Sequence, residues 1–130
     1  MSDVPLIELR VPVDPASVSV VRTSVASLAA RFDFTLDRLD DLRLATNEAC
    51  ALLLALDEPA GSTLIASVES PSEGTLRVDL CRAGSSTRLP GEESFAWTVL
   101  HALVDSVVVR DADDMVHLVL TATSSALDRA

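Results

Sequence analysis

Residues 41–54, DLRLATNEACALLL, decide how the rest of the chain is read. Leu42, Ala45, Ala49, Leu52 and Leu53 recur at three- and four-residue spacing, which puts them on one face of a helix. Leu39 upstream and Leu56 downstream extend the stripe, and Pro59 and Gly61 stop it, so the spacing predicts a long amphipathic helix over residues 36–56. Before it, residues 6–11 alternate, with Ile7, Leu9 and Val11 against Glu8 and Arg10, the pattern of a half-buried strand. Pro12 and Pro15 end that strand. Ser17 reads as a helix N-cap, and Val18, Val21, Val25, Leu28 and Phe32 mark a first helix running to about residue 31.

After the long helix, residues 64–68 and 75–81 read as strands joined by a PSEG turn. Residues 82–94 are polar and form the longest predicted loop. A third helix is expected over 95–104, then strands over 107–110 and 115–121 around the turn DADD, and a fraying tail after Thr123. The order β-α-α-β-β-α-β-β implies an α/β fold of the two-layer α+β sandwich kind, with a mixed, mostly antiparallel sheet and all three helices on one face. The 130 residues suit a single domain with its core at about residues 6–122.

Composition narrows the function. Hydrophobic residues make up 48% of the chain while aromatics are 3%, so a large core must be built from Leu, Val and Ala. Twenty acidic residues against ten basic ones leave a net charge of −10, and every cation is Arg. An acidic body without lysine argues against direct binding to nucleic acid and favours a basic protein partner. The N-terminal stretch has no basic start followed by an apolar run, and no segment approaches the roughly 20 apolar residues of a membrane span, so a cytoplasmic protein away from membranes is expected. Cys50 and Cys81 lie 31 apart with no CxxC spacing, which gives no metal pattern and suggests two reduced, packed thiols.

The segment 41–54 resembles the N-box helix of histidine-kinase-like ATPases (the GHKL superfamily, with its Bergerat fold), in the branch of anti-sigma factors of the RsbW and SpoIIAB type. That branch carries Glu-x-x-x-Asn, a catalytic base followed one turn later by the magnesium-holding Asn. Glu48 matches the base, and Leu52 stands where the Asn belongs. A leucine offers magnesium no oxygen, and Asn47 points about 100° away around the helix. The resemblance places Arg22, in the first helix, at a position that contacts the sigma factor or its antagonist. It aligns Arg82-Ala83-Gly84 with the family's Asp-x-Gly, where the Asp reads the adenine amino group. Arginine has donors only, so Arg82 cannot do this. Ser94-Phe95-Ala96 stands in place of the Gly-x-Gly phosphate loop, where side chains obstruct the backbone's approach to a phosphate. Residues 93–109, ESFAWTVLHALVDSVVV, are similar to the UsfX-type anti-sigma-F factors, and the whole match spans about residues 6–122.

The resemblance implies an anti-sigma factor that sequesters an alternative, sigma-F-like stress or stationary-phase sigma factor and releases it to an anti-anti-sigma antagonist. It also implies a homodimer. Three departures in the nucleotide boxes imply that no cofactor is needed, and that ATP and magnesium matter only if the degenerate site still works. Glu48 is then a vestigial base or a partner contact, and the partner-binding residues are Arg22, Glu48, Phe95 and Trp97. Each has a plainer reading: Glu48 as a solvated helix acid, Arg22 as a surface arginine, and Phe95, Trp97, Leu100 and Leu103 as a core-facing stripe. The alternative activity is that of a serine/threonine kinase of the anti-sigma type using ATP through Glu48 on that antagonist. A sensor-kinase ATPase domain is disfavoured, because no phosphoacceptor helix is attached.

Overall fold

The structure, a computed structural model, describes residues 5–56 and 62–124. Eight elements follow in order: β1 (Ile7–Pro12), α1 (Pro15–Arg31), α2 (Leu36–Leu54), β2 (Thr63–Glu69), β3 (Thr75–Ala83), α3 (Phe95–Leu103), β4 (Ser106–Ala112) and β5 (Met115–Thr123). The expected stop signals Pro59 and Gly61, and the tail from residue 125, lie outside the described residues.

One five-stranded sheet has the order β1-β2-β3-β5-β4, and every neighbouring pair is antiparallel. The expectation of a mixed sheet is corrected here. Two helices separate β1 from β2, so the chain returns to the end it left and β2 runs back along β1. One helix separates β3 from β4, but β5 lies between those two strands and opposes both.

The sheet's inner face is set by alternation. In β3, Leu76, Val78 and Leu80 are fully buried, as are Val116, Leu118 and Leu120 of β5. They join Val21 and Val25 of α1, Leu42, Ala45, Ala49 and Leu53 of α2, and Trp97 and Leu100 of α3 in one core. Alanines at positions 45 and 49 let α2 pack close beneath its neighbours, which is how a core with few aromatics reaches full density.

Element ends shift by a few residues for local reasons. Helix α1 begins at Pro15, because Asp14 rather than Ser17 is the cap: the Asp14 carboxylate accepts from the Ser17 N–H at 3.0 Å. Helix α2 is capped by Thr35, whose hydroxyl accepts from the Arg38 N–H at 3.2 Å, and it ends at Leu54, two residues short of the expected limit. The DADD turn narrows to two residues. Asp113 and Asp114 take φ of 53° and 62°, the left-handed pair of a tight hairpin, and the strands run on through Ala112 and Met115. The predicted loop over 82–94 is shorter, because β3 continues to Ala83 and residues Ser86–Arg88 form a 3-10 turn. Ser86 fixes that turn, donating to the Asp111 carboxylate from its N–H at 2.9 Å and its hydroxyl at 2.6 Å. These bonds hold the Asp111 carboxyl below the usual carboxylate range. No helix of the described residues is long and apolar enough to cross a membrane.

Candidate functional site

Helix α2 carries Glu48 and Leu52, and three arginines hold it. Glu48 and Leu52 lie one turn apart, both half-buried. The Glu48 carboxylate has no hydrogen-bond or ion-pair partner among the described residues. Beside it, Asn47 turns toward α1, where its Oδ1 accepts from the Arg22 guanidinium at 2.7 Å. Arg22 is thus half-buried and bonded to its neighbour helix, not a freely solvated side chain. The two line a shallow, mainly apolar groove with Pro15, Val18, Ala51 and Leu54.

Arg82 has the most definite surroundings of the positions that the family resemblance singled out. It continues the inward alternation of Leu76, Val78 and Leu80, so its side chain runs under α2 and is only 2% exposed. One guanidinium nitrogen donates to the Leu53 carbonyl at 2.9 Å and reaches the Leu56 carbonyl at 3.5 Å. The Leu53 carbonyl belongs to the last turn of α2, where it also accepts from the Leu56 N–H at 3.2 Å, and the macrodipole at that end favours a cation. No carboxylate pairs with Arg82 among the described residues, and its Nε has no partner. The Arg82 side chain therefore acts as a helix C-cap and fills the space beneath the last turn of α2. Gly84, two residues on, takes a φ of 145° at the exit of β3, a conformation that suits glycine.

At the start of α3, Ser94 is the cap position but makes no side-chain capping bond, and its Oγ is buried without a partner. Ala96 is half-buried. The core-facing stripe holds for Trp97 and Leu100, with Leu103 half-buried, and fails at Phe95, which is 79% exposed. Phe95 and Trp97 are two positions apart, about 200° around the axis, so one faces out when the other faces in. The Trp97 indole N–H donates to the Pro90 carbonyl at 2.8 Å, tying α3 to the preceding loop. Its ring helps to wall an open cavity of about 760 Å³ between that loop, His101, and Val107 and Val109 of β4. Glu48, Leu52 and Arg82 do not line this cavity.

Both cysteines are free and buried. Burial pushes the Cys50 thiol up to about 12, and burial followed by the nearby Asp79 charge pushes Cys81 up to about 11. They lie in different layers, Cys50 in the helical core and Cys81 on the sheet face turned away from the helices.

Sequence periodicity missed Arg38. It is 8% exposed in the first turn of α2, with a guanidinium nitrogen 2.7 Å from Asp105 Oδ2 and its Nε 3.3 Å from the Thr123 carbonyl. The same carboxylate oxygen accepts from the Thr123 N–H at 2.8 Å, so one network joins α2, the α3–β4 connection and the end of β5. Arg38 and Arg82 thus clamp the two ends of the helix that carries Glu48.

Comparison with known proteins places this geometry. No family model matches the chain. It is 30% identical over 101 residues to the anti-sigma-F factor RsbW of Mycobacterium tuberculosis, covering 78% of this chain and 59% of that protein. It is 39% identical over 44 residues to the serine-protein kinase RsbW of Bacillus subtilis, and 37% identical over 49 residues to that of Bacillus velezensis. Those two matches span 28% and 31% of the relatives' length, so the chain covers less than two thirds of each. A crystal structure of the RsbU and RsbW domains of a Mycobacterium tuberculosis protein superposes with a TM-score of 0.69 at 13% identity, covering 92% of this chain and 33% of that one, a likeness of fold. In sequence and in fold, this chain is a homologue of the RsbW-type anti-sigma factors.

Proposed function

We propose that the chain is an anti-sigma factor that sequesters a sigma-F-like stress sigma factor by surface binding alone, on a degenerate histidine-kinase-like ATPase fold, and yields it to an anti-anti-sigma antagonist. In this reading it is a single cytoplasmic domain, acts as a homodimer and uses neither ATP nor magnesium. The observation that carries the reading is Arg82. A buried guanidinium bonded to the end of α2 occupies the position at which an adenine-reading carboxylate is required. Leu52 in place of a magnesium ligand and the side chains of Ser94 and Ala96 in place of glycines support it from two other parts of the chain. The charge of −10 suits a basic sigma surface, since complementary fields speed encounter.

Two measurements test this. Magnesium-ATP at a hundredfold excess over a working Kd would stabilise the fold by about 2.7 kcal/mol, and no shift in thermal midpoint is expected. Calorimetric titration with a sigma-F-class sigma factor is expected to give the same affinity with and without ATP. Binding that requires ATP overturns the proposal.

The second reading is a serine kinase acting on the antagonist. It is favoured by the names of the two Bacillus relatives and by Glu48, whose carboxylate is unengaged. Transfer of labelled phosphate to an antagonist serine, abolished in Glu48→Ala, would establish it.

Arg22 gives a sharper expectation about the binding surface. Its guanidinium is already positioned by Asn47, so a partner loses little entropy in engaging it, and arginines are enriched among interface hot spots. Arg22→Ala should weaken sigma binding by about 2 kcal/mol while costing the free fold about 1 kcal/mol, the size of one half-buried hydrogen bond. Wild-type affinity for the variant, measured by calorimetry, would remove Arg22 from the interface.

A further inference from the structure

The sheet face turned away from the helices carries a cluster that the anti-sigma reading leaves unused. Asp79 and Cys81 are two apart in β3, so both side chains leave the sheet on that outer side. His117 in β5 is the register partner of Cys81 and shares the same face. Its Nδ1 lies 2.8 Å from Asp79 Oδ1, and one donor atom from each of the three residues lies within 4.8 Å of the other two. The cluster is sheltered but reachable: Cys81 is 7% exposed, and the side chains of His117 and Asp79 are 17% and 27% exposed.

We propose that Asp79, Cys81 and His117 form a three-ligand site for a zinc-class transition-metal ion, with a fourth coordination position open to solvent.

The donor set argues for this class of ion. Magnesium and calcium take oxygen ligands, whereas one sulfur, one imidazole nitrogen and one carboxylate oxygen suit zinc, which accepts all three in tetrahedral geometry. Zinc–ligand bonds of about 2.0–2.3 Å put tetrahedral ligand atoms about 3.3–3.8 Å apart. The donors therefore need to close by about 1.5 Å at most, while the His117–Asp79 pair opens by about 0.5 Å, a side-chain adjustment on two strands whose backbones are already hydrogen-bonded. Binding releases the Cys81 thiol proton to solvent and forms the zinc–sulfur bond. The ion also replaces the hydrogen bond between His117 and Asp79, with imidazole nitrogen and Asp79 Oδ1 turning to the metal. No redox change is involved.

Arg110 sits 3.4 Å from Asp79 Oδ2, the other carboxylate oxygen. Guanidinium has donors only, so Arg110 cannot be a ligand. Instead it orients the carboxylate from outside, as second partners of metal ligands do, and its charge weakens the affinity without blocking the site. Cys50 is the internal control: it is fully buried in the helical layer and belongs to no such cluster among the described residues.

Cobalt(II), titrated into the reduced full chain, is the probe. Expected are 1:1 binding, a near-ultraviolet thiolate-to-cobalt charge-transfer band, and bleaching of that band by zinc. The band should vanish in Cys81→Ser, persist in Cys50→Ala, and require at least about tenfold more cobalt in His117→Ala. Circular dichroism shows which variants fold. If Cys81→Ser does not fold, Cys81→Ala serves, and Asp79→Asn supplies an independent loss of affinity. Absence of the band in the wild type, or its survival in the folded Cys81 variant, overturns the proposal. A failed ATP or sigma-binding result would leave this readout unaffected.

Discussion

Replacing Arg82 with alanine should destabilise the protein by about 3–5 kcal/mol, a large part of the 5–15 kcal/mol that holds a typical domain together. Three losses combine. The longest buried side chain beneath α2 disappears and leaves a cavity. The carbonyls of Leu53 and Leu56 lose the guanidinium donor in a place water does not reach, and the Leu53 oxygen keeps the Leu56 N–H. The helix end loses the cation that opposes its dipole. Arg82→Met separates these contributions, because it keeps the stem volume and removes the cost of burying a charge. It should therefore cost clearly less than the alanine variant. Arg82→Asp restores the carboxylate of the nucleotide-binding pattern but sets an anion against two carbonyl oxygens. It should be the least stable of the three and should not regain ATP binding. Urea unfolding of the set decides it. An alanine variant within 1 kcal/mol of wild type would mean that the guanidinium is not seated under α2, and the main argument for a closed nucleotide site would go with it.

What sequence could show here was whatever depends on near neighbours in the chain. The alternation in residues 76–80 and the three- and four-residue spacing in α1 and α2 are local, and they gave the element order and the part of the core that α1, α2 and β3 contribute. Arg82 was legible as a departure from a family pattern but not as a core residue, because a charged side chain at the end of a strand reads as the start of a loop. Its burial follows from β3 running two residues further in the same alternation. The sheet's all-antiparallel character depended on which strands become neighbours, and that choice is made by packing. Asp79 and His117 are 38 positions apart and meet only through the β3–β5 register, so chain spacing held no sign of them. Phe95 carried two readings, partner contact and core stripe, and the rotation of α3 needed to bury Trp97 turns it outward, which removes the second.

The second large effect concerns the opposite end of α2. Arg38 and Asp105 are 67 positions apart, and their side chains are 9% and 17% exposed across a 2.7 Å contact. Such a pair is a weak source of net stability but costly to break from one side, since the remaining charge keeps its burial and loses its 2.7 Å contact, with Asp41 still 3.9 Å from Arg38. Arg38→Met should cost about 3 kcal/mol. Asp105→Asn should cost somewhat less, because Asp105 is the more open partner and an amide oxygen can still accept from the Thr123 N–H at its present 2.8 Å. The double variant should cost markedly less than the sum, with a coupling energy of about 1–3 kcal/mol, because neither change then leaves a charge stranded. Additivity within about 0.5 kcal/mol in a denaturation cycle would show that the two groups do not act as a pair. The same cycle bears on function. The network sets where α2 begins, and Glu48 and Asn47 lie three turns along it, so a shifted N-terminus moves the Asn47 oxygen that holds Arg22. Sigma affinity should therefore fall in Arg38→Met even under conditions where the variant is fully folded, whereas a clamp that served stability alone would leave it unchanged.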